Sequence, residues 1–124
     1  MSPPVFPGDE EVVLLPEEFS ISTTSLAECE LVQVHGELDG ARAHELAAEL
    51  DRASSGGRAV VIDLSDLAFI DSGGLHAIMR PTPDDRRLSL VCPDGNVARV
   101  LSIVRIDQVV PVYERLDDAL AALR

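Results

Sequence analysis

The chain has 124 residues, the length of one domain, and by size it buries about two thirds of the surface its unfolded form exposes. Apolar residues make up 46% and charged residues 26%, which excludes a disordered chain, a collagen-like fibre and a disulfide scaffold. Twenty-two acids against ten Arg and no Lys give a net charge of −12.

That charge is uneven. Residues 1–51 carry twelve acids and one Arg, and residues 52–124 carry ten acids and nine Arg. With no Trp, one Tyr and three Phe, the chain lacks the basic and stacking surface of a nucleic-acid binder. An anionic membrane surface would repel it, so a basic protein partner is the electrostatic expectation. No apolar run approaches the ~20 residues of a membrane span. The first ten residues have neither the positive nor the apolar region of a signal peptide. A cytoplasmic protein is expected. Cys29 and Cys92 are far apart and read as two reduced, half-buried thiols rather than a disulfide or a metal pair.

Four of the eight prolines fall in residues 1–16, which read as a flexible arm, with 12–15 able to add an edge strand. The remaining chain, 17–124, reads as the folded domain. Residues 18–26 alternate around Phe19, Ile21 and Thr23, and 30–35 alternate clearly; Ala27, Glu28 and Cys29 suit a hairpin link. Gly36 is expected to stop the second strand. Asp39 can cap a helix over 40–54 whose apolar face is Ala43, Leu46, Ala47 and Leu50.

Residues 59–64 are nearly all apolar, as in a central strand covered on both faces. A separate apolar stretch, 67–70, precedes Asp71, Ser72, Gly73, Gly74 and Leu75. A short helix is expected over 75–80, ended by Pro81 and Pro83. Then come a strand over 87–92, a helix over 96–105 with Val97, Val100, Leu101 and Val104 on one face, a strand over 109–113 and a helix over 117–123. The order β-β-α-β-α-β-α-β-α predicts an α/β fold: a mixed sheet of four to five strands with helices packed on it.

Enzyme signatures are missing. His44 and Glu45 lack a following His at zinc-protease spacing. His35, His44 and His76 make no ligand cluster with the cysteines, so no metal or other cofactor is expected. Ser72 sits between a strand and a helix like a hydrolase nucleophile, but Ile70 stands where that elbow needs Gly. An enzyme is not expected. Ser72 reads either as a helix N-cap, with Gly73 and Gly74 shaping a tight entry, or as an accessible hydroxyl able to carry a phosphate.

The stretch from Asp63 to Leu75, DLSDLAFIDSGGL, resembles the signature of STAS domains, in particular bacterial anti-sigma factor antagonists. A second motif stands in register with it: Gly36, Glu37, Leu38 and Asp39, where the family carries G-E-L-D or G-D-L-D. The resemblance covers roughly residues 18–123 and implies the STAS fold.

It also implies a binding switch. The family's phosphorylated serine follows the motif Asp and here is Ser72. The resemblance implies that the unphosphorylated protein binds an anti-sigma factor that is also a serine kinase, that phosphorylation breaks the complex, and that a serine phosphatase restores it. Asp71 would orient or screen Ser72, and Gly73, Gly74, Leu75, Glu37 and Asp39 would form the partner-binding face. A STAS scaffold or transporter-associated subunit, in which Ser72 is only a cap, is the alternative. Three positions depart from the family: Gly73 replaces a common Ser or Thr, the helix after Leu75 is cut short before Pro81, and Arg105 stands where many relatives have Gly.

Overall fold

The structure is a computed structural model and describes residues 19–79 and 87–124. The elements run β1 (Ser20–Ser25), β2 (Glu30–Leu38), α1 (Gly40–Ser54), β3 (Val60–Ile70), α2 (Ser72–Ile78), β4 (Leu88–Val91), α3 (Asn96–Ile103), a 3-10 turn (Ile106–Gln108), β5 (Val112–Tyr113) and α4 (Leu116–Ala121). The five strands lie side by side in sequence order. β1 is antiparallel to β2, and β2 to β5 are parallel. This is the predicted mixed sheet and the predicted element order.

The hairpin turn is closed by the Leu26 N–H donating to the Cys29 carbonyl at 2.8 Å and is braced by Arg58. Its guanidinium donates to the Glu30 carboxylate and to the Leu26 and Ala27 carbonyls at the turn. The parallel connections need crossovers, which the helices supply. On one face of the sheet Val32, Val34, Val60, Ile62, Leu64 and Leu90 are buried beneath α1, α2 and α3. On the other face Leu31, Val61 and Val91 lie under α4, whose Ala119 is fully buried. Leu46 is the fully buried centre of the α1 stripe, with Ala43 and Leu50 packed beside it.

Several expectations change. Gly36 does not end β2. It takes φ +98°, which glycine tolerates, and the strand runs on to Leu38. The separate stretch over 67–70 is the second half of β3. Asp63 accepts from the Ser65 N–H (2.9 Å) and hydroxyl (2.6 Å), and the chain absorbs the polar pair Ser65 and Asp66 without leaving the sheet.

The α2 helix starts at Ser72, not Leu75, and ends at Ile78. The expected stop at Pro81 and Pro83, the arm over 1–16 and the possible edge strand over 12–15 lie outside the described residues. The α3 helix ends at Ile103, so Val104 is left 48% exposed instead of joining the buried face. Arg105 then adopts the left-handed conformation (φ 62°), which glycine would take freely. The last strand is only two residues long. Cys29 and Cys92 are free thiols, but fully rather than half buried.

Candidate functional site

The ends of β2 and β3 stand side by side, with Leu38 paired to Ile70, and each hands over at once to a helix. Both hand-overs use aspartate. Asp39 caps α1 by accepting from Arg42 N–H at 3.0 Å. Asp71 caps α2 by accepting from Gly74 N–H at 3.0 Å. The cap of α2 is therefore Asp71 and not Ser72, which is the first helical residue.

Asp71 does more than cap its own helix. Its second carboxylate oxygen accepts from Gly40 N–H at 3.2 Å, at the start of α1. Its backbone N–H donates to the Leu38 carbonyl at 3.2 Å. One side chain thus holds the first turns of two helices against each other.

The glycines permit this approach. A Cβ on Gly73 would stand 2.7 Å from the Gly40 Cα, and one on Gly74 would stand 2.6 Å from the Leu38 carbonyl oxygen. Gly73 therefore does not loosen the segment. It lets α2 sit directly on the α1 backbone, where serine or threonine would need the two first turns to part.

The predicted residues come together on this rim. Ser72 is exposed, and among the described residues its hydroxyl has no hydrogen-bond partner. Asp71, Gly73 and Leu75 are half-buried and Gly74 is buried. Glu37 is exposed one residue before Leu38, and Asp39 is half-buried with its carboxylate spent on α1. Asp71 joins the Gly36–Asp39 motif to the Asp71–Leu75 motif by its backbone bond to the Leu38 carbonyl. Two contributors were not foreseen: Gly40, and Phe69, which is 47% exposed and paired in register with Glu37. Gly40 directly follows the G-E-L-D motif, so its close packing was available as a signal. Phe69 was hidden by strand alternation.

Among the described residues no group of His, Cys, Asp and Glu is arranged to hold a metal ion, and no helix is long and apolar enough to cross a membrane. Burial pushes the Cys92 thiol up to about 11, with the nearby Asp63 carboxylate adding to it, and burial also raises Cys29. Neither is a nucleophile at neutral pH.

The family model for the STAS domain matches residues 20–119, so the chain belongs to the STAS domain family. An anti-sigma factor antagonist from Mycobacterium paratuberculosis is 26% identical, with a TM-score of 0.80 over 86% of this chain and 95% of that one. SpoIIAA, a Bacillus cell fate determinant solved in its phosphorylated form, is 19% identical, with a TM-score of 0.57 over 86% and 100%. A sulfate transporter family protein from Wolinella succinogenes is 18% identical, with a TM-score of 0.67 over 81% and 88%. The last two likenesses concern the fold alone. No curated protein matches the chain.

Proposed function

We propose that this chain is a cytoplasmic anti-sigma factor antagonist, a binding switch with no catalytic activity of its own, thrown by phosphorylation of Ser72. Unphosphorylated, it would sequester an anti-sigma factor that is also a serine kinase; a serine phosphatase would reset it. The observation that carries this is an exposed Ser72 hydroxyl directly after an Asp71 whose carboxylate is tied to both Gly40 and Gly74. The acceptor is free and its platform is fixed. The 26% likeness to an anti-sigma factor antagonist supports the same reading.

The physics of the switch follows from position. A phosphate adds about −1.5 to −2 charge beside Asp71. Ser72 is the first residue of α2, where the helix dipole favours negative charge, so the phosphate leaves α2 folded. What changes is the surface: a partner resting on Ser72 would have to strip water from a dianion. The modified protein keeps its fold and loses its partner.

A serine-kinase anti-sigma factor from the same genome is the partner to test. Wild type and Ser72→Ala should bind it alike, and Ser72→Asp should bind at least about tenfold more weakly. A second reading, a STAS scaffold or transporter-associated subunit, fits the same fold, which a sulfate transporter family protein shares. On that reading Ser72→Asp binds its partner within about twofold of wild type, because Ser72 carries no signal.

A further inference from the structure

We infer that Phe69 is the apolar anchor of the docking surface, fitting a partner that offers an apolar socket flanked by a cation; this rests on the function proposed above. Simple alternation from the buried Leu67 would send Phe69 into the core and Ile70 outward. The opposite is observed: Leu67 is 8% exposed, Ile70 5% and Phe69 47%. The cause is a register shift. Gly36 pairs with Leu67, but Glu37 pairs with Phe69, so β3 fits two steps against one of β2. Such a bulge re-aims side chains. Here it returns Ile70 to the core above Ala77 and Ile78 and turns the aromatic outward.

The re-aimed ring has a defined setting. It pairs with exposed Glu37 and stands three residues before Ser72, so their Cα atoms are at most about 10 Å apart. Alternation with the buried Ile70 puts the ring on the face of the sheet opposite the Ile70 cluster. Further back along β1, β2 and β3 a largely polar hollow is lined by Ser22, Gln33, Val34, His35, Asp63 and Asp66. Exposed Glu37 across from Phe69 and exposed Asp66 three residues before it make the neighbourhood acidic, and the complementary partner surface is basic around an apolar pocket. An exposed aromatic beside acidic side chains suits an interface hot spot, where aromatics are enriched at the core and polar groups at the rim. It also gives the phosphate its force, since a dry contact beside Ser72 cannot take up a hydrated dianion.

The inference is tested by measuring binding kinetics of purified full-length variants against the serine-kinase anti-sigma factor from the same genome. Phe69→Ala should raise Kd at least about tenfold, mainly through faster dissociation, with Tm within about 3 °C of wild type. Phe69→Leu keeps an apolar side chain and should stay within about threefold. Glu37→Gln should slow association about two- to threefold and weaken its salt dependence. If Phe69→Ala binds within about twofold while Ser72→Asp loses the partner, the anchor is wrong and the switch stands. If Phe69→Ala melts far below wild type, the ring is packing and the anchor is wrong. If Ser72→Asp and Phe69→Ala both bind as wild type does, both readings fall.

Discussion

The junction between β3 and α2 and the corner after α3 are built on opposite lines. At the first, Asp71 spends both carboxylate oxygens and its backbone N–H on neighbours, and Gly73 and Gly74 leave no room for a methyl group. At the second, Arg105 sits in a left-handed conformation, and Ile103 (72%), Val104 (48%) and Val109 (68%) are exposed around it. Neither the Gly95 N-cap of α3 nor its C-cap carries a side-chain hydrogen bond. The fold tolerates a strained residue and exposed apolar side chains at that corner, where the two motifs have no residue. It spends its closest contacts around Ser72, the residue that the proposed switch needs held in one place. A switch read by docking needs that: an acceptor on a mobile loop could be phosphorylated, but it would not present one surface to a partner.

Substitutions can break this contrast. Gly74→Ala should have the largest effect, destabilising by about 3 kcal/mol in chemical denaturation, because its methyl meets the Leu38 carbonyl at 2.6 Å and the Leu38 side chain at 2.7 Å. Asp71→Ala should cost about 2 kcal/mol, from the lost cap of α2 and the lost bond to Gly40, and hydrogen exchange should rise at the start of both helices. Arg105→Gly should act in the other direction, stabilising by about 1 kcal/mol as the left-handed strain is relieved. A loss at Gly74 and a gain at Arg105 are the signature of a pinned rim and a strained corner. Matching signs would erase the distinction.

The cysteines sharpen it further. Cys92 directly follows β4 and packs with α3, its thiol pushed up to about 11 by burial. It stays protonated in the folded state above the pH at which it ionises in the unfolded chain. Its contribution is therefore present below about pH 9 and is lost as pH rises towards 11. The urea midpoint should fall across that window, and less so in Cys92→Ala. At pH 8 neither thiol should react with a thiol reagent until the protein unfolds.

Most of this architecture was legible because its signals were local. The Asp39 cap and the stripe of Leu46 and Leu50 gave α1 with its observed ends. The apolar run over 59–64 gave the centre of the sheet. The unforeseen features depend on pairing between distant segments. Gly36 looks like a stop until β3 offers it a partner, and Ser65 and Asp66 look like a turn until Asp63 satisfies them within the strand. Ser72 looks like a cap because serine caps well, but the adjacent Asp71 competes for the position and wins it, reaching Gly40 as well. Both motifs of the candidate site were readable in sequence. Phe69 was not, since alternation assigns it to the core and only the bulge reverses that.

The most direct measurement is phosphosite mapping by mass spectrometry after incubating the intact protein with ATP and the serine-kinase anti-sigma factor from the same genome, with Ser72→Ala as control. The account predicts one phosphate, on Ser72, absent in the control, with the circular dichroism spectrum unchanged. Phosphate on another residue, or none on Ser72 with a kinase shown to be active, would contradict it.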